Sequence, residues 1–208
     1  MLKTETFGDQ LKALGFSFYS GVPCSFLKHL INYAINHCEY IGAANEGDAI
    51  ATCAGASLAG KKSVMLMQNS GLGNAVSPLT SLLHTFKIPV LICVSLRGEE
   101  GIPDEPQHEL MGQITHDLLS TMQIKHAVLS TDPETMLEQL NEANTCIESG
   151  EPFCFVVKKN TVINARNSGT LARLIFGVLI NTKNQIILKG DKSLSKRDFS
   201  RVIKPLNL

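Results

Sequence analysis

The sequence predicts a doubly wound α/β domain over roughly residues 1–160, a parallel sheet of about six strands with helices on both faces. Three observations predict it. Short apolar runs alternate with longer stretches of helical spacing, and a parallel crossover needs a helix to bring the chain back. The strand-like runs are almost continuously apolar, as strands covered on both faces are. Polar or glycine-rich segments follow four of those runs, which is where ligands of open α/β sheets gather. With 208 residues, 44% of them hydrophobic, the chain can build one sizeable core.

The first strand is FSFYS (16–20). GVPCS (21–25) follows, and then a helix in which Phe26, Leu27, Leu30, Ile31, Ala34 and Ile35 repeat at three and four. The second strand, EYIGA (39–43), runs through ANEGDA (44–49) into the alanine- and glycine-rich helix EGDAIATCAGASLAG. SVMLMQ (63–68) is the third, leading through QNSGLGNA (68–75) to a helix that contains Leu79, Leu82 and Leu83. PVLICVS (89–95) ends at the long loop RGEEGIPDEPQH (97–108), and KHAVLS (125–130) is the fifth strand. Asp132-Pro133-Glu134 then supplies an N-cap with proline at the first helical position. Leu137, Leu140, Ala143 and Ile147 mark the buried face of that helix, and FCFVVK (153–158) closes the sheet. From about Thr161 the composition changes. NARNSGT is loop-like, LARLIFGVLI reads equally as a short helix or a buried strand, and SLSKRDFSRVIKPL resembles the opening of an amphipathic helix. Residues 161–208 are therefore expected to be a tail or linker.

Nineteen lysines and arginines balance nineteen aspartates and glutamates, so no general attraction to nucleic acid or acidic membranes is expected. The amino terminus, MLKTETFGDQLKALGF, does not read as a targeting peptide, and no apolar run approaches the ~20 residues that cross a bilayer. The six cysteines form no C-x-x-C pair, and several sit in apolar runs where a reduced, buried thiol is the ordinary reading. A cytoplasmic protein is expected.

Among the four edge segments, ANEGDA places Glu46 at the start of a helix. It reads either as a solvated acid complementing the helix dipole or as a carboxylate held out of water. In the second case it favours a hydrogen bond to a heteroaromatic nitrogen. QNSGLGNA departs from G-x-G-x-x-G because Val76 stands at the third glycine, and it is not a P-loop. Its glycines still allow close backbone approach to a planar or anionic group, although a tight turn into the helix explains them too. In the long loop, Arg97 can clamp a carboxylate, phosphonate or sulfonate, and His108 can exchange a proton near neutral pH. HELMG is no zinc motif, since Gly112 occupies the place of the second histidine. No serine lies in G-x-S-x-G, and Cys24 reads as a buried residue near a helix start.

Taken in order, FYSGVPCSFLKHL, then AANEGDAIATCAGASLAGKKSVMLMQNSGLGNAVSPLTSL, then IPVLICVSLRGEEGIPDEPQHELMGQIT resemble the phosphonopyruvate decarboxylase and sulfopyruvate decarboxylase alpha-subunit family. The resemblance spans about residues 7–160. It implies a thiamine-diphosphate enzyme in which this chain is the pyrimidine-binding domain. Glu46 then matches the glutamate that hydrogen-bonds N1′ of the aminopyrimidine, and the thiazolium accepts the electron pair freed as carbon dioxide leaves a small 2-oxoacid. Asn69, Ser70, Gly71 and Gly73 are expected beside the cofactor. Gly21, Val22, Pro23 and Ser25, with Arg97 and His108, are expected beside the substrate. In this family Mg²⁺ and the diphosphate are held through a GDG motif followed by Asn. Here Gly190-Asp191-Lys192 lacks the final glycine, so a diphosphate-binding domain or beta subunit is expected to hold both. An oligomer that is inactive without that partner follows, with residues 161–208 leading towards it. A non-catalytic anion-binding α/β module is the alternative.

Overall fold

The computed structural model describes residues 3–159, 161–164, 186–189, 191–196 and 198–199. All the expected strands form: β1 (Phe16–Gly21), β2 (Glu39–Gly42), β3 (Lys62–Gln68), β4 (Leu91–Ser95), β5 (Lys125–Val128) and β6 (Phe153–Val157). They pair in parallel in the order β2-β1-β3-β4-β6-β5. Alternation along β3 shows why both faces are covered. Val64 and Leu66 enter one hydrophobic cluster, Met65 and Met67 the other, and none of the four is exposed.

Helices α3 (Glu46–Leu58), α4 (Leu72–Ser77) and α5 (Glu109–Thr121) cover one face. Helices α1 (Thr4–Ala13), α2 (Lys28–His37) and α6 (Pro133–Glu148) cover the other. Each fully buried Leu, Ile, Val or Met contributes about 1.5–3 kcal/mol, so two such clusters explain why the fold follows the apolar pattern so closely. α4 does not stop at Ser77 but continues as a π-helical stretch, Pro78–His84. Pro78 has no N–H to donate back along the helix, and the wider turn accommodates that loss.

Two helix faces differ from expectation. Asp132 caps α6 by accepting from Thr135 N at 3.0 Å, as the sequence suggests, yet Leu137 is 40% exposed. Met136 takes the buried place, and Met136, Leu140, Ala143 and Ile147 form one stripe at spacings of four and three. Ile35 is likewise 54% exposed, while Tyr33 turns inward and donates to Asp9 Oδ1 at 2.7 Å. Apolar identity alone did not set the helix phase. Contact with the sheet did.

The chain divides into two compact units, Met1–Glu100 with Asp104–Lys159 and Gly101–Pro103 with Asn160–Leu208. In the second, β7 (Thr161–Asn164) and β8 (Ile186–Lys189) pair in parallel, neither having been expected as a strand. LARLIFGVLI lies outside the described residues. Within SLSKRDFSRVIKPL, Leu194–Lys196 forms a 3₁₀ turn, entered where Asp191 Oδ1 accepts from Ser193 N and Leu194 N at 2.9 and 2.8 Å. No helix among the described residues is long and apolar enough to cross a membrane.

Candidate functional site

β1 and β3 are neighbours although β2 lies between them in sequence, so their carboxyl ends flank a topological switch point. The segments after both strands meet there. Gly21 lies so close to the Leu66 carbonyl that a methyl group would overlap it, and Val22 N donates to that carbonyl at 3.1 Å. Ala43 N donates to Gly21 O at 3.0 Å, tying in the segment after β2. Of the expected substrate edge, Pro23 and Ser25 are exposed and Val22 partly so. Cys24 is buried, its Sγ 3.0 Å from Ser95 Oγ.

Glu46 opens α3. Asn45 caps the helix by accepting from Asp48 N at 3.1 Å, which brings Glu46 into the first turn. Its side chain is neither free in solvent nor fully enclosed but half-buried between α3 and α4. Oε2 accepts from Asn74 Nδ2 at 2.9 Å, and Gly71 packs where any side chain would overlap the carboxylate. Gly47 faces the Asn74 backbone, its Cβ position 3.3 Å from Asn74 O. Among the described residues Oε1 makes no hydrogen bond. One carboxylate oxygen is therefore held by a hydrogen bond, while the other packs against Gly71.

The residues after β3 separate into two roles. Asn69 is fully buried. Its amide donates to Arg97 O at 2.9 Å and Thr115 Oγ1 at 3.0 Å, while its oxygen accepts from Arg97 N at 3.1 Å. The side chain thus pins the end of β4 to α5 and is not available to line a pocket as expected. Ser70 is exposed and accepts from Gln68 Nε2 at 2.6 Å. Gln68 also lies 3.5 Å from His108 Nδ1, linking two segments that the sequence presented separately. Gly73 is exposed with open space around it.

Arg97 does not stand ready as a clamp. Its Nε donates to Asp104 Oδ2 at 2.7 Å, and a second contact joins its terminal nitrogen to Oδ1. Asp104 also accepts from Gly98 N at 3.0 Å and Glu105 N at 2.9 Å. Hydrogen bonding to Arg97 holds the Asp104 carboxyl well below the usual carboxylate range, and the same bonds raise Arg97 above its ordinary value. The guanidinium lies 4.5 Å from the centre of the Phe26 ring, with Lys159 Nζ 5.4 Å from the same ring. A cation neutralised and stacked in this way shapes the edge more than it attracts an anion. An anion bound by Arg97 would have to compete with this pairing.

The loop closes through glycine. Gly98 has φ +72°, and its missing side chain leaves room for the His108 carbonyl. Gly112 packs directly on Gly98. The residue that breaks the zinc motif in HELMG is thus what lets α5 meet the loop. No group of three or more His, Cys, Asp or Glu among the described residues could hold a metal ion. Asn74, Gln68, Phe26 and Asp104 are the neighbours that sequence reasoning missed. Asn74 lay inside QNSGLGNA, one helical turn beyond Gly71, and that spacing was the only signal for it.

Residues 3–126 match the family described as "Thiamine pyrophosphate enzyme, N-terminal TPP binding domain". Residues 114–208 match a second description, "EPSP synthase (3-phosphoshikimate 1-carboxyvinyltransferase)". The phosphonopyruvate decarboxylase of Streptomyces hygroscopicus is 37% identical over 155 residues, covering 73% of this chain and 39% of that protein. The sulfopyruvate decarboxylase subunit alpha of Methanococcus maripaludis is 38% identical over 123 residues, covering 58% of this chain and 72% of the subunit. Benzoylformate decarboxylase from Polynucleobacter necessarius superimposes with a TM-score of 0.61 at 21% identity, over 76% of this chain and 30% of that one, which bears on the fold alone. The chain spans about two fifths of the length of the phosphonopyruvate decarboxylases it matches.

Proposed function

The chain belongs to the thiamine pyrophosphate enzymes through their N-terminal TPP binding domain, and from that premise we propose that residues 1–160 are the aminopyrimidine-binding part of a 2-oxoacid decarboxylase. One observation carries the reading. Glu46 has one oxygen held by Asn74 and the other without a hydrogen bond among the described residues, with Gly71 leaving room for the carboxylate. That cradle fits a flat heteroaromatic ring whose nitrogen meets Oε1. When bound, thiamine diphosphate supplies the thiazolium that takes up the electron pair released with carbon dioxide.

In this reading Glu46 holds or releases a proton at the ring nitrogen, while the exposed Ser70 and Gly73 backbone, with Gly71, borders the ring. Asn69 acts beneath them by fixing the Arg97 backbone. Val22, Pro23 and Ser25 border the oxoacid, with Gly21 setting their height on the edge. His108, reached by Gln68, moves a proton at the substrate, and Arg97 orients Phe26. Mg²⁺ and the diphosphate belong to a partner, either a diphosphate-binding domain or a beta subunit, because no Gly-Asp-Gly occurs in this sequence. We read the assembly as an oligomer and place it in the cytoplasm, the location supported by six cysteines, none in a disulfide. Residues 161–208, which the sequence suggests lead into that partner, fall within the stretch matched to EPSP synthase. We therefore read them as a segment of separate ancestry.

The substrate we favour is 3-phosphonopyruvate, converted to phosphonoacetaldehyde and carbon dioxide, because the similarity to phosphonopyruvate decarboxylase runs over more of this chain. Sulfopyruvate is the second reading, since this chain covers more than two thirds of a sulfopyruvate decarboxylase alpha subunit. The test supplies the chain, with a diphosphate-binding partner, thiamine diphosphate and Mg²⁺, with both oxoacids side by side. Aldehyde release is expected from one of them, and Glu46→Gln should lower it by about 10²–10⁴-fold. Inertness towards both oxoacids, or a Glu46→Gln variant as fast as the parent, overturns the proposal.

A further inference from the structure

We infer that Asn74 is the positioning residue of this site, its side-chain amide setting the plane of the Glu46 carboxylate so that Oε1 faces the aminopyrimidine. The inference rests on the reading of Glu46 given above and adds a residue to it. Asn74 stands three positions after Gly71 on α4, so both look towards the first turn of α3. They grip Glu46 in different ways. Gly71 sets the closest approach of the carboxylate to α4, and Asn74 Nδ2 holds Oε2 at 2.9 Å. Gly47 completes the joint from the α3 side by letting the Asn74 carbonyl approach.

The chemistry requires a donor at this place. An amide N–H bonding a carboxylate oxygen is charge-assisted and directional. It removes rotation about the Glu46 side-chain terminus that a ligand would otherwise have to freeze. An acceptor of the same shape would repel the carboxylate instead. Asn74 is itself exposed, so it holds no part of the hydrophobic cluster beneath α3 and α4. A loss that follows its replacement by a side chain of equal size therefore reports on the hydrogen bond and not on packing.

The test compares the parent with Asn74→Asp, Asn74→Leu and Glu46→Gln. Thiamine diphosphate binding is measured by calorimetry on the chain with its diphosphate-binding partner, and the Asn74 side-chain amide resonances are followed by NMR on the full chain alone. Asn74→Asp and Asn74→Leu are expected to weaken binding by about tenfold or more, to lower kcat, and to leave the oxoacid KM and the thermal midpoint unchanged. The two amide protons of Asn74 should differ widely in shift in the parent and draw together in Glu46→Gln. Parent-like binding by Asn74→Asp, or Asn74 resonances indifferent to Glu46→Gln, overturns the inference. Glu46→Gln binding the coenzyme as the parent does would instead sink the functional reading, even with the Asn74 resonances coupled to it.

Discussion

A methyl group added at Gly71 would occupy the volume of the Glu46 carboxylate. Gly71→Ala is therefore expected to push Glu46 off its bond with Asn74. Overpacking of this kind costs about 1–3 kcal/mol, which a shift in the urea midpoint would measure. The proposed decarboxylase activity should fall much further than stability, by about a hundredfold, because a misplacement near 1 Å has that effect on a positioned group. Parent-like activity would mean that the carboxylate has another place to work from. At this scale the sequence was half legible. Glu46 stood out because a strand and a helix of small residues bracketed it. Asn69 was equally conspicuous, yet its three hydrogen bonds all point inward, and nothing in QNSGLGNA distinguishes it from the exposed Ser70 beside it.

The two ends of the segment from Arg97 to His108 are joined by the Arg97–Asp104 pair, by Gly98 and by the packing of Gly112. The Asp104 carboxyl is depressed by its bond to Arg97. Its contribution to stability is therefore fully present above about pH 4, the unfolded carboxylate range, and is lost only as pH falls towards the depressed folded value. Asp104→Asn takes from Arg97, with its side chain only 14% exposed, its ion-pair partner. The pair is only part-buried, so losing one partner is expected to cost less than the about 3–5 kcal/mol of a fully buried pair. Urea unfolding should show a lowered midpoint at pH 7, with the gap to the parent persisting at pH 5 and narrowing only in stronger acid. A gap already closed at pH 5 would mean that the pair does not hold the loop. The helices teach a related lesson. Periodicity located α2 and α6, but Ile35 and Leu137 turn outward because a rotation of one residue costs little until the sheet selects a face.

For the molecule as a whole, both hydrophobic clusters, among the described residues, are made of residues before Lys159. A chain ending after Lys159 is accordingly expected to unfold in one cooperative transition at the midpoint of the parent, measured by circular dichroism. A broad or markedly lower transition would show that residues beyond Lys159 complete the core. What the sequence determined by itself was local: six apolar strands, the helices that cover them, four segments at one edge, and Glu46 at the head of the small-residue helix. Period, turn chemistry and capping act over a few residues, so one chain displays them without its fold. Only the tertiary structure decided the partners. Asn74 reaches Glu46 across 28 positions, and Asn69 reaches Arg97 across another 28. Hydrogen bonds and charges respond to distances of about 3 Å in space, and separation along a chain carries no record of those.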